Sequence, residues 1–265
     1  MAEKIPVIDV LKQSLTLLRD NVVAAVILFI GPALLYGVQM AFLTPPVDHA
    51  HPQVNWLGSG VGILDMLILL PSLTAWYRRA IFGLPAGGGL GWRLGRAEWL
   101  ILLAFLKIFG WCVLGGAVIG GVLGGLAFGV AMLAHLSSDW VQIMAVSIVA
   151  IAAVILVLWT LPLALTFPAA ALGTALSRKQ AFALAAGNRW RLLLLIGVVP
   201  IGVGLLAHFI AKLPLEPLLV AVLLAAATVL SWSVSHTLLA LCYRHLAGPP
   251  ATADNAAGAA SPELG

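Results

Sequence analysis

Six stretches of this chain run for twenty residues or more with almost no charge: about 22–43, 57–82, 99–134, 141–168, 192–212 and 217–243. A helix needs roughly 20 apolar residues to cross the hydrocarbon layer of a bilayer. Inside lipid the chain itself must satisfy every backbone N–H and C=O, and these runs lack the alternation of barrel strands, so they are expected as helices. The third run is long enough to tilt, kink or extend beyond the bilayer. Only 9% of the residues are charged, against roughly 25% in soluble domains. Too few charges exist to cover a water-facing surface, which excludes an ordinary soluble fold. The expected fold class is all-α integral membrane, with six transmembrane helices in one domain, residues 1–247. Residues 248–265, GPPATADNAAGAASPELG, are small, polar and proline-rich, and are expected to be a disordered cytoplasmic tail. The N-terminus, MAEKIPVIDVLKQ, has no small-residue cleavage site before residue 45, so the first run reads as a retained helix.

The cations set the orientation. Lys4, Lys12 and Arg19 precede the first run. Arg78, Arg79, Arg93 and Arg96 separate the second and third, and Arg178, Lys179, Arg189 and Arg191 the fourth and fifth. Arg244 follows the sixth. These twelve fall on one side, against Lys212 alone on the other, while the fourteenth, Lys107, lies inside a run. Both termini are therefore expected in the cytoplasm. Trp76, Tyr77, Trp92, Trp99, Trp190 and Tyr243 would mark the inner interface, and Trp56 and Trp140 the outer one.

Setting Lys12 on Lys179 brings Gln13 onto Gln180, Leu17 onto Leu184 and Asn21 onto Asn188. One residue out of that register, LTAWYRRA (73–80) meets LALCYRHL (239–246). The chain therefore reads as a parallel internal repeat, units about 6–83 and 174–247, with helices 3 and 4 between them. Each unit begins with a cytoplasmic amphipathic helix. In the first, Val7, Val10, Leu11, Ser14, Leu15 and Leu18 share a face opposite Asp9, Lys12, Gln13, Thr16 and Arg19. In the second, Ser177 and Gln180 form a candidate capping box. Such helices lie in the interface plane, so Lys12, Arg19, Arg178, Lys179, Arg189 and Arg191 are candidate contacts for anionic lipid phosphates.

Asp65 is the only acid in the middle of a run. It lies thirteen residues before Arg78, about 20 Å at the helical rise of 1.5 Å per residue. Lys107 lies about 16 Å past Arg96 by the same rise, and a structural pair with Asp65 is the favoured expectation. An unpaired intramembrane charge costs about 3 kcal/mol on insertion scales. The third run carries two glycine ridges, Gly116–Gly120–Gly124 and Gly121–Gly125–Gly129. Glycines at this spacing let helix backbones approach closely. Packing within the chain is the favoured expectation, with a partner helix from another subunit the alternative. His236, beside Ser231, Ser233, Ser235 and Thr237, reads as a satisfied core histidine, its neighbouring hydroxyls bonding an adjacent helix. Pro32, Pro71, Pro162 and Pro200 each fall within a run and are expected to kink it.

The group Asp48, His49 and His51, with His135, Asp139 and His208, matches no demanding metal pattern. Cys112 and Cys242 read as small buried hydrophobes. Neither a metal nor a cofactor is expected, and no Walker loop, zinc-protease motif, nucleophile elbow or dinucleotide fingerprint is present.

AWYRRAIFG…WRLGRAEWLILL (75–102) and FPAAALGTALSRKQAFALAAGNRWRLLLLI (167–196) resemble a group of uncharacterised bacterial, especially alphaproteobacterial, six-helix inner-membrane proteins. More distantly, the second stretch is similar to the membrane domain sometimes fused to glycerophosphodiester phosphodiesterases. The phosphodiesterase catalytic domain has no counterpart in these residues. The resemblance implies location and fold, and carries over no catalytic residue. The expected function is a non-enzymatic accessory or scaffold role, engaging lipid headgroups, a membrane-protein partner or a second copy, with no nucleic acid. The alternative is a small-solute or ion transporter or channel using the Asp65/Lys107 region.

Overall fold

The computed structural model of the protein describes residues 4–39, 56–83, 95–133, 138–198 and 212–248, with residues 201, 202, 205 and 209 between the last two stretches. The described residues form helices and no strand. In chain order these are α1 (Val7–Asp20), α2 (Val22–Val38), α3 (Trp56–Phe82), α4 (Arg96–Leu133) and α5 (Ser138–Thr160). A 3-10 stretch, Leu161–Leu165, then leads into α6 (Thr166–Ala171). α7 (Arg178–Leu184) and α8 (Arg189–Leu192) follow, the latter running into a wider π-type turn over Leu193–Val198. The last helix is α9 (Pro217–Ala247).

Four of these helical stretches are long and apolar enough to cross a membrane: α3, α4, the α5–α6 stretch and α9. Two bent pairs, α1 with α2 and α7 with α8 and its π-turn, bring the total to six if each is one span. This is the architecture of a multi-pass membrane protein. The prolines act unevenly. α2 runs through Pro32 and α3 through Pro71 without a break. In lipid the neighbouring helices and local adjustments absorb the missing N–H. At Pro162 the backbone instead tightens to 3-10. Pro200 lies outside the described residues.

The amphipathic segments form helices that meet their spans nearly at right angles, at 83° for α1–α2 and 93° for α7–α8. The corners match in detail. Asn21 has φ −128° and ψ 21°, and Asn188 has φ −119° and ψ 5°. Each asparagine N–H donates back three residues, to Leu18 O at 3.2 Å and Ala185 O at 3.0 Å. Each carbonyl accepts from four residues on, Ala25 N and Leu192 N, both at 2.9 Å. A residue in this bridge region starts a new helical axis while keeping its backbone groups bonded. The Ser177–Gln180 capping box is formed, at 3.3 and 2.8 Å.

The core gathers at the end of the molecule that carries Arg78, Arg79 and Arg191. Phe29, Trp76, Tyr77, Leu165, Leu192 and Leu238 are among its fully buried side chains. α1 contributes Val10 and Ser14, with Val7, Leu11, Leu17 and Leu18 partly buried. Leu15 departs from the expected face: it is 65% exposed, and Leu17 packs in its place. The wheel explains this, since the contact face is centred near Ser14 and Leu15 sits one step beyond its edge.

α4 and α5 form an arm. Beyond Ile101, no described side chain from Leu102 to Thr160 is buried. At 38 residues α4 is about 57 Å long, against roughly 30 Å of hydrocarbon. It must tilt strongly or project.

Candidate functional site

Three features stand out in this frame: the cationic corners, the interior polar groups of α2, α3 and α9, and the uncovered arm. On α1, the exposed Ile8 and Leu15 sit next to Lys12 and Arg19 on the wheel, between the buried face and Asp9, Thr16 and Asp20. Cations flanking an apolar stripe suit a helix lying at the headgroup boundary. Arg19 also pairs with Asp20 at 3.1 Å, the one ion pair among the described residues. Both side chains are exposed, so the pair is worth only about 0–1 kcal/mol.

The second corner uses its cations differently. The Arg178 guanidinium lies 4.9 Å from the Trp111 ring centroid and 6.0 Å from that of Trp159. The two indoles pack edge to face at 5.4 Å. Arg178 therefore clasps α7 to both helices of the arm. Arg189 lies 5.3 Å over Phe182, and Arg191 donates to Asn188 Oδ1 at 3.4 Å. Lys179 is exposed. Losing the Arg178 clasp removes about 1 kcal/mol. Backbone hydrogen exchange in α7 is expected to rise about fivefold in Arg178→Ala, by conversion of that energy, and to stay unchanged in Lys179→Ala.

Three arginines counted toward the orientation, Arg78 and Arg244 also as matched positions of the repeat, have structural partners. Arg78 Nε donates to Ala171 O at 2.8 Å, and Arg79 Nε to Asn21 Oδ1 at 2.5 Å. Arg244 donates to Gln13 Oε1 at 3.3 Å. For Arg78 and Arg244 the sequence marks a matched position, Tyr77-Arg78 and Tyr243-Arg244, without naming the partner.

Inside the core, Tyr77 Oη and His236 Nδ1 are 2.7 Å apart, and Trp76 Nε1 donates to Thr237 Oγ1 at 3.1 Å. Phe29 packs among Trp76, Trp232 and His236. The hydroxyls of Ser233, Ser235 and Thr237 bond carbonyls of their own helix four residues back, each at 2.6 Å. That corrects the expectation of bonds to a neighbouring helix for Ser233 and Ser235, whereas Thr237 also accepts from Trp76 of α3. Hydroxyls one turn above a carbonyl need no second backbone.

Asp65 is buried and its Oδ1 has no hydrogen-bond partner among the described residues. Lys107 is exposed on α4, between the exposed Leu106 and Phe109. The expected Asp65–Lys107 pair is therefore not formed. The helix phase of α4 turns Lys107 outward, while Asp65 points into the α2–α9 side of α3.

The glycine ridges, expected to pack within the chain, have few close neighbours among the described residues. Among the described residues, a Cβ at Gly120, Gly121, Gly124, Gly125 or Gly129 would meet nothing within 4 Å, and one at Gly116 only Leu156 at 3.9 Å. The close approach to α5 is at Gly115, where a Cβ would come 2.9 Å from Leu156 Cδ1. Gly120, Gly121, Gly124 and Gly125 are exposed, while Gly116 and Gly129 are half-buried.

No group of three or more His, Cys, Asp or Glu comes together among the described residues. Asp48, His49, His51, His135 and His208 lie outside the described residues, as do Trp92, Arg93, the side chain of Asp139 and the tail from residue 249. Cys242 is buried and Cys112 half-buried, and both are free thiols. Comparison with protein-family models, curated proteins and solved structures gives no match.

Proposed function

We propose that the protein is a non-enzymatic scaffold of the bacterial inner membrane, with both termini cytoplasmic, that holds another membrane helix against its α4–α5 arm. The observation that carries this reading is the uncovered glycine face of α4. Among the described residues, the arm leaves Gly120, Gly121, Gly124 and Gly125 of the two ridges exposed. Small residues at four-residue spacing are what transmembrane helices use to associate. The cationic corners supply the second half of the reading. α1 presents Lys12 and Arg19 beside an apolar stripe, suited to anionic headgroups, and Arg178 ties the second corner to the arm.

The matching asparagine corners support a duplication of units 6–83 and 174–247. A duplicated unit that enters from the same side keeps both termini together, in line with the twelve-to-one cation bias. The alternative of transport through an Asp65/Lys107 pair loses its cation.

Substitution of the ridge tests the reading. Gly120→Leu and Gly124→Leu add side chains into open space, and leucine is the better helix former. Both variants are expected to accumulate and melt like the parent. The amount of co-purifying membrane protein, or of a second copy, is expected to fall about tenfold, equivalent to about 1.4 kcal/mol. Undiminished association in both variants would remove the basis for the scaffold reading.

A further inference from the structure

We propose that Asp65 is a proton-binding site buried between α2, α3 and α9, in the half of the membrane away from the arginine-bearing end. The site is built locally. Gly58, Gly62 and Asp65 fall on one stripe of α3. Gln39, just past the end of α2, lies over the first two: its Nε2 donates to Gly58 O at 2.9 Å, and a Cβ at Gly62 would come 3.2 Å from it. One turn further in, Asp65 is only 8% exposed, with Oδ1 unpartnered. α9 closes the same level, since a Cβ at Gly37 would come 2.6 Å from Ala221 O.

The groups that face the carboxyl are few. From α2, Tyr36 is within electrostatic reach. α9 brings no charged group to this level. Its histidine, His236, bonds Tyr77, which is twelve residues or about 18 Å along α3 from Asp65. Lys212 and Glu216, before α9, are exposed. No lysine or arginine occurs in Val22–Val38, Trp56–Tyr77 or Pro217–Tyr243.

A carboxylate removed from water without compensation costs several kcal/mol. Four things compensate it: hydrogen-bond donors, a cationic side chain, a metal ion or a proton, and Oδ1 has no donor among the described residues. Among the described residues, no cationic side chain reaches Asp65. A hard metal ion needs about six oxygen ligands, and no cluster of acidic or histidine ligands surrounds Asp65 among the described residues. A proton needs one oxygen, and Oδ1 is that oxygen. The protonated acid then donates where a carboxylate only accepts. This inference is independent of the scaffold reading.

The test is modification of the full chain in native membranes with dicyclohexylcarbodiimide, a lipid-soluble reagent for protonated carboxyls, mapped by peptide mass spectrometry. The expected result is an adduct on Asp65 at neutral pH. It should decline as pH rises, because the reactive fraction is the protonated one, and Na⁺ should not affect it. A water-soluble carbodiimide should leave Asp65 unmodified. Asp65→Asn, a near-isostere of the protonated acid, should lose the adduct and keep the parent's thermal stability. No adduct on Asp65 in the folded parent would overturn the proposal. Equal labelling by the water-soluble reagent, protection by Na⁺, or unfolding of Asp65→Asn would each overturn it as well.

Discussion

Gly37→Val is expected to break the packing of α2 on α9, at a cost of about 3 kcal/mol or more. The position is the tightest interhelical approach among the described glycines: a Cβ there would come 2.6 Å from Ala221 O and 3.4 Å from Ala221 C. The obstacle is backbone, so no side-chain rotation relieves it. The two helices must separate, and with them the aromatic packing of Phe29 and Tyr36 on Trp232. In lipid this matters more than in water, because helix association rests on close van der Waals contact. Gly31→Val provides the control, six residues earlier on the same helix. Gly31 is exposed and its Cβ would meet nothing within 4 Å, so the change should fall within about 0.5 kcal/mol. Thermal unfolding in mild detergent reads both. Equal losses in the two variants would mean that the α2–α9 contact is not the junction described.

Asn188→Ala should be the second most damaging change, at about 3 kcal/mol. Asn188 is 1% exposed, and its Oδ1 accepts the Ile5 N–H at 2.9 Å. Ile5 is itself 1% exposed. Removing the acceptor strands a buried donor, which costs about 1–3 kcal/mol, and leaves a void that adds to it. The damage should show first at the N-terminus, as faster tryptic cleavage after Lys4. Asn21→Ala should cost less. Asn21 occupies the corresponding corner but is only half-buried, and its partner Arg79 can turn toward solvent or lipid phosphate. Equal tolerance at Asn188 and Asn21 would contradict the assigned burial.

The spans were legible because lipid imposes one strong rule on the backbone, and a run of twenty apolar residues satisfies it almost alone. The corners were legible too. A polar, helix-prone segment ending in asparagine before an apolar run has to change direction at the membrane surface. What the sequence hid were the facings. Leu15 and Leu17 lie about 160° apart around α1, at opposite edges of its apolar face, and an apolar list does not say which one meets the core. The glycine ridges signal close packing whether their partner is α5 or another chain. Asp65 and Lys107 sit at compatible depths on consecutive helices, yet depth carries no information on helix phase. The arginines at 78, 79 and 244 were counted as charges, because their partners are a carbonyl, an asparagine and a glutamine distant in sequence.

The six-span reading has a direct consequence for two loops. If each bent pair crosses the membrane, residues 40–55 lie opposite the N-terminus and residues 84–94 on its side. If only the four unbent stretches cross, the two loops exchange sides. Single cysteines at Ala50 and Ala86, probed with a membrane-impermeant thiol reagent in intact and opened cells, decide between them. Background from the natural cysteines is low, since Cys242 is buried and Cys112 half-buried within α4. The account predicts that Ala50→Cys is modified in intact cells and Ala86→Cys only after opening. Modification of Ala86→Cys in intact cells, with Ala50→Cys protected, would contradict it.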